Sequence, residues 1–227
     1  MSDPPGRLLA SGRAAEIYDL GDGTVLRRYR SPGADTAQEA EVMRYVAGRG
    51  YPVPEVLSAD GPDLVMPYIE GPTMFDEVRR RPATLLTHAR RLAKLQQQLA
   101  EIAAPEWLMA PGWTPDPTGD SVLHLDLHPM NVMMSPDGPV VIDWTNAAAG
   151  PPGFDASVTY VVIAAFTPDD TRERVATKVF AETFRRLRGR REIDAFLAAA
   201  CDHRLADPNL TPDEREGVAA IRTKARR

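Results

Sequence analysis

Residues 123–131, Leu-His-Leu-Asp-Leu-His-Pro-Met-Asn, concentrate more chemistry than any other stretch of the chain. His124, Asp126 and His128 stand at alternate positions. On a strand such residues share one face and could converge on zinc or iron. A second pattern runs through the same segment. Asp126 can accept a proton, and Asn131 can offer an amide oxygen to a hard cation. Pro129 ends any regular strand and holds His128 extended. The remaining histidines, His88 and His203, lie in no ligand-spaced cluster.

Written as H-x-D-L-x-P-x-N, the stretch matches the kinase catalytic-loop pattern at His124, Asp126, Leu127, Pro129 and Asn131. The spacing has a chemical reason. A carboxylate must accept the proton of the attacking group, and an amide a few residues on must reach a cation at the phosphates. A second cation carboxylate is expected on the next hairpin, where Val-Val-Ile-Asp-Trp supplies Asp143. An amide oxygen and a carboxylate suit magnesium.

This catalytic stretch, the hairpin ending in Ile-Asp-Trp, and the Gly-Pro-rich bend leading to Phe154-Asp155 together resemble the aminoglycoside phosphotransferase and choline-kinase-like group. The resemblance runs from about Leu8 to Phe166. It implies an α+β, protein-kinase-like two-lobed fold: a small antiparallel sheet plus one helix, then a mainly helical lobe. It also implies transfer of the γ-phosphoryl group of ATP, or GTP, with Mg2+, to a hydroxyl of a small molecule such as an aminoglycoside-like compound, an amino alcohol or a sugar. Asp126 would be the catalytic base, Asn131 and Asp143 the metal ligands. His124 and Asp155 would support the loop. Trp144 belongs to the Ile-Asp-Trp signature.

The N-terminal part fits the same resemblance. Thr24–Arg30 aligns with the family strand that carries the phosphate lysine, placing Arg27 at that position. Arginine is a planar fork and lysine a point charge, so the exchange changes how phosphates are held. In the next segment Glu39, Val42, Met43 and Val46 form one helical stripe. A glutamate on an apolar stripe needs a partner, and Arg27 is the natural one. Glu41 lies off the stripe, and Arg28 points away from Arg27's face. The resemblance places Ile17 and Val25 against the adenine. It makes Leu64–Gly71 the hinge, with Met66 lining it and the Pro67 carbonyl and Ile69 amide meeting the base. The glycine-rich loop is reduced to Gly12, followed by Arg13. Arg27 and this sparse loop also suit a nucleotide-binding pseudokinase. A metal-dependent hydrolase using His124, Asp126 and His128 is the other alternative.

Two short runs, Ala15–Leu20 and Thr24–Arg30, joined by Gly-Asp-Gly, predict a hairpin. A helix and two further strands follow. The boundaries expected are a nucleotide lobe over 1–69 with its hinge at about 66–70, and a helical lobe over 70–227 containing the loop 124–131 and the metal segment 141–145. Leu85, Leu92, Leu95, Leu99 and Ile102 mark one face of a long helix. Thr211, Pro212 and Glu214 predict a capped helix start. The proline-rich stretch 105–121 carries Trp107 and Trp113, which could pin the loop or cap a cationic substrate. Asp169, Asp170 and Asp202 could attract an amine.

The 227 residues carry a net charge of -5, a poor match for a nucleic-acid partner. The one cysteine, Cys201, excludes an internal disulfide and fits a reducing, cytoplasmic location. The first twelve residues lack the apolar core of a signal peptide. The longest apolar run, Val158–Phe166, is too short to span a bilayer and reads as a core helix. No membrane association and no obligate protein partner are expected.

Overall fold

The computed structural model describes residues 6–12, 14–31, 33–109 and 121–225. The chain divides into two compact units. The first comprises Met1–Gly71 and Met133–Thr145, the second Pro72–Val132 and Asn146–Arg227.

The first unit is built on a five-stranded antiparallel sheet. Its strands are β1 (Arg7–Ser11), β2 (Ala15–Asp19), β3 (Thr24–Tyr29), β4 (Ser58–Asp60) and β5 (Asp63–Pro67), in the order β1-β2-β3-β5-β4. The β2–β3 turn works because Gly21 and Gly23 take φ of 83° and 85°, open to glycine without strain. Asp22 Oδ1 accepts from the Thr24 amide and fixes the exit. The sequence reading begins the sheet at Ala15 and misses β1. All five β1 residues are exposed, so no alternation marks the strand.

Helix α1 (Ala37–Ala47) buries Glu39, Ala40, Val42, Met43 and Val46, while Glu41 is exposed. Arg28 pairs with Asp63 on the neighbouring strand, on the face opposite Arg27. The hairpin of strands Val132–Ser135 and Gly138–Val141 lies almost wholly in the first unit. Chain order attaches this segment to the helical part, but its contacts do not. Trp144 is 1% exposed and meets Tyr51 edge-on at 5.6 Å, and the Val141 amide donates to the Pro52 carbonyl.

The second unit is mainly helical: α2 (Met74–Arg80), α3 (Leu85–Ala100), α4 (Pro152–Ala165), α5 (Thr171–Arg188), α6 (Arg190–Ala206) and α7 (Pro212–Ala225). Two short antiparallel strands, Ser121–Leu123 and Ala148–Gly150, lie beside the catalytic stretch. The leucine stripe of α3 is buried, and Ile102 joins it just past the helix. The apolar run lies in α4, which is buried on nearly every side.

Helix α4 also packs closely on α6. A Cβ at Gly153 would stand 2.8 Å from the Phe196 ring, and Ser157 Oγ lies 2.8 Å from the Ile193 carbonyl. Helix α7 starts with the capping box read from sequence: the Thr211 amide donates to Glu214, and the Glu214 amide to Thr211 Oγ1. Among the described residues no helix is long and apolar enough to cross a membrane.

Candidate active site

Arg27 is central to the first unit's polar cluster. Alternation along β3 puts Val25, Arg27 and Tyr29 on one face. Arg27 Nη1 donates to Glu39 Oε1 at 2.7 Å, and Nη2 to Asp143 Oδ1 at 2.6 Å and Thr145 Oγ1 at 3.2 Å. Glu39 is 5% exposed and also accepts from the Tyr29 hydroxyl at 2.6 Å and the Trp144 amide at 3.0 Å. Burial alone would lower the Arg27 pKa, but Asp143 and Glu39 outweigh it and raise it. The guanidinium is therefore a fixed cation.

Asp143 follows the hairpin with φ of 68°, a left-handed conformation that aspartate tolerates better than most residues. Thr145 Oγ1 donates to its Oδ1 at 2.9 Å. About a third of the Asp143 side chain remains exposed, so the carboxylate can still meet a ligand.

The strand register puts the expected adenine-contact residues on Arg27's face. Ile17 stands opposite Arg27, and Val25 opposite Met66. Val25 and Met66 are buried, whereas Ile17 is half-buried. Pro67 ends β5 opposite Thr24, and Ile69 follows it, half-buried. The Gly12 amide donates to the Ala15 carbonyl. Arg13 and Trp113 lie outside the described residues, and Trp107 is exposed.

In the second unit the catalytic stretch leaves the strand at Leu123 and turns sharply. Leu125 takes φ of 62° while 2% exposed, an unusual conformation for a bulky residue. Asp155, 1% exposed, holds it there: Oδ1 accepts from the Leu125 amide at 2.7 Å. Gln96 Nε2 donates to Asp155 Oδ2, and Arg188 Nε donates to Gln96 Oε1. Burial pushes the Asp155 carboxyl up despite these donors.

His124 is fully buried, and its Nδ1 accepts from the Asp126 amide at 3.3 Å. Asn131 Nδ2 donates to the Asp126 carbonyl at 3.0 Å and to Oδ2 at 3.3 Å, which leaves the amide oxygen as the end available to a cation. His128 Nε2 stands 3.6 Å from Asp126 Oδ2, and Arg204 Nη1 3.5 Å from Oδ1. Burial favours a protonated Asp126. The His128 hydrogen bond and the charges of His128, Arg204 and His124 outweigh it and hold the carboxyl below its usual range.

The metal trio imagined at His124, Asp126 and His128 does not form. Among the described residues no three His, Cys, Asp or Glu side chains are grouped to hold a metal. The left-handed Leu125 breaks the alternation that would put the three on one face, and His128 Nδ1 accepts from the Met130 amide instead. Two of the three acids that could attract an amine are engaged locally. Asp170 caps α5, and Asp202 pairs with Arg222.

Tyr29, Thr145 and Arg204 were not singled out from sequence. Alternation could have revealed Tyr29, two residues beyond Arg27 on the same strand. Nothing local points to Arg204, 78 residues from Asp126.

A family model described as "Phosphotransferase enzyme family" matches residues 6–120 and 115–196. No curated protein sequence matches the chain. Several solved structures share its fold. A gentamicin complex of APH(2")-IIa is 14% identical with a TM-score of 0.65, over 96% of this chain and 88% of that one. A thermostable mutant of the aminoglycoside phosphotransferase APH(4)-Ia is 17% identical with a TM-score of 0.64, over 96% and 93%. The amicoumacin kinase hAmiN, in complex with AMP-PNP, Ca2+ and Ami, is 15% identical with a TM-score of 0.53, over 96% and 86%. The fold is thus the protein-kinase-like one of the aminoglycoside phosphotransferases.

Proposed function

The chain belongs to the phosphotransferase enzyme family, and from that premise we propose that it moves the γ-phosphoryl group of ATP, or GTP, to a hydroxyl of a small molecule. The observation that carries this reading is the double engagement of Arg27, held by Glu39 and Asp143 at once. A buried cation fixed beside a partly exposed carboxylate suits phosphates and the ion that accompanies them. Bound ATP, AMP-PNP or ADP in solved relatives is consistent with it.

In this reading Asp126 receives the acceptor's proton. Asn131 orients it through two donated hydrogen bonds. Asp155, by gripping the Leu125 amide, fixes the backbone from which Asp126 projects. Arg27 holds the nucleotide phosphates, braced by Glu39. Ile17, Val25 and Met66 give the base an apolar surface, and Pro67 and Ile69 its backbone partners. Asp143 through its carboxylate and Asn131 through its amide oxygen would hold magnesium, which takes hard oxygen donors of these kinds. When bound, magnesium supplies charge neutralisation at the transferred phosphoryl group. The rest of the catalysis is positioning and fixed charge.

The catalytic loop 124–131, a nucleotide-holding first unit whose first segment runs to the hinge and whose second is Met133–Thr145, and a helical second unit complete the assignment. The acceptor is a small hydroxyl compound. Solved relatives with gentamicin, streptomycin or hygromycin B make an aminoglycoside-like acceptor one candidate class, beside amino alcohols and sugars. A nucleotide-binding pseudokinase is the second reading, favoured by Arg27 in place of lysine.

The deciding experiment incubates the protein with magnesium and ATP or GTP, alone and with gentamicin, hygromycin B, an amino alcohol and a sugar. Phosphorylated product is read by mass spectrometry. Product with one acceptor class supports the transferase. Nucleotide-dependent thermal stabilisation with no product supports the pseudokinase, and neither result is compatible with absent nucleotide binding.

A further inference from the structure

Arg204 has no place in the kinase pattern, yet it stands at Asp126. It is 9% exposed, near the C-terminal end of α6. Its Nη1 lies 3.5 Å from Asp126 Oδ1 and 3.6 Å from Asp207 Oδ2. Its Nε is buried and meets no hydrogen-bond partner among the described residues. A buried guanidinium with only long contacts is an expensive arrangement unless its charge serves a neighbour.

Three features hold Arg204 in place. Within one turn of α4, Asp155 grips the Leu125 amide and Gly153 admits the Phe196 ring of α6. Ser157 reaches the Ile193 carbonyl of α6. Arg215 of α7 donates to the Leu205 and Asp207 carbonyls, pinning the end of α6. The helix that carries Arg204 and the loop that carries Asp126 are thus fastened to the same turn of α4.

We propose that Arg204 is a positioning residue for phosphoryl transfer, fixing one oxygen of Asp126 while Asn131 and His128 fix the other. Oδ1 faces Arg204, and Oδ2 faces Asn131 Nδ2 and His128 Nε2. With both oxygens engaged the carboxylate has one orientation, and misplacing a reacting group by about 1 Å costs on the order of 10²-fold in rate. The inference rests on the transferase reading and on Asp126 as its base.

The test is a double-mutant cycle on phosphoryl release from magnesium ATP, with water and with the acceptor panel above. Arg204→Met should lower kcat by about 10–100-fold with KM for ATP unchanged. Arg204→Lys, which keeps the charge, should recover most of the loss. In an Asp126→Asn background, Arg204→Met should have no further effect, because its partner's function is already gone. The exposed Arg191→Met on the same helix is the control. Melting curves identify a variant that fails to fold, and Arg204→Lys then carries the cycle.

Multiplicative losses in the double variant overturn the inference, as does an unchanged kcat in Arg204→Met. A rise in KM for ATP with kcat preserved also overturns it. No transfer by the parent removes the transferase reading, and full transfer by Asp126→Asn removes Asp126 as its base; either result is distinct from those above, and the inference falls with it.

Discussion

Arg27 Nη2 lies 2.6 Å from Asp143 Oδ1, so the proposed phosphate cation already neutralises the proposed metal carboxylate. The pair is uneven: the Arg27 side chain is 9% exposed and that of Asp143 36%. Asp143 can therefore turn toward a ligand while Arg27 stays with Glu39, whose side chain is 4% exposed.

Removing Arg27 should be costly twice over. Arg27→Ala leaves Glu39 buried with only the Tyr29 hydroxyl and Trp144 amide. Breaking a buried pair costs about 3–5 kcal/mol, and the remaining donors put this one at the lower end. The melting temperature should fall by about 6–12 °C, and nucleotide-dependent stabilisation should be lost. Arg27→Lys keeps a charge but can engage only one carboxylate well, so transfer should stay within about tenfold. Thermal shifts of both variants with and without ATP read these effects. Parent-like nucleotide stabilisation in Arg27→Ala would place the phosphate cation elsewhere, with Arg28 and Arg13 next to test.

Asp126→Asn should retain magnesium-dependent ATP stabilisation and lose about 10²–10⁴-fold in transfer, the scale of a positioned acid–base group. Asn131→Ala and Asp143→Ala should do the reverse to binding, each reducing the magnesium-dependent shift. Asp143→Ala should be the worse because it removes a formal charge beside a dication. A full parental shift in both variants would sink the assignment of these two residues.

What was legible in the sequence followed local rules. Alternation placed Val25 and Arg27 on one face, the helical stripe brought Glu39 to Arg27, and the capping box at Thr211 formed as written. Strand β1 was not legible, since an exposed edge strand has no buried face to impose a pattern. The tie from Asp143 and Trp144 to the first unit depends on long-range contacts, 105 positions apart for Trp144 and Glu39. Arg204 lies in the same category. The left-handed Leu125, which dissolved the metal trio, is set by Asp155 thirty residues away.

Two glycines should respond differently to an added methyl group. At Gly153 a Cβ would meet the Phe196 ring and Glu192, side chains that can give, so Gly153→Ala should cost about 1–3 kcal/mol through overpacking. At Gly71 the Cβ would stand 2.1 Å from the Met134 carbonyl oxygen, and φ is +130°. Backbone on both sides cannot yield as a side chain does, so Gly71→Ala should destabilise more than Gly153→Ala. Chemical denaturation of the two variants side by side decides it. The opposite order would mean that the segment at Met134 relaxes easily.

His203 should make the fold acid-sensitive. It sits one residue before Arg204, its ring edge-on to Phe154 at 5.9 Å. Burial, with Arg204 adding to it, lowers its pKa from 6.5 to about 4, against the weaker pull of Asp207 and Asp126. Between these two values the unfolded chain binds a proton that the folded chain refuses. Stability rises with pH wherever the unfolded state binds more protons, so this contribution is complete above about pH 6.5 and is lost progressively toward pH 4. The full shift corresponds to at most ~3 kcal/mol. Carboxylates titrate in the lower part of the same window, so the informative quantity is a difference between proteins. His203→Phe keeps a ring against Phe154 and removes the titration. Its denaturation free energy, followed from pH 7.5 to 4.5, should decline less steeply than the parent's. Two parallel curves, whatever their vertical offset, would show that His203 is not the group that carries the acid sensitivity.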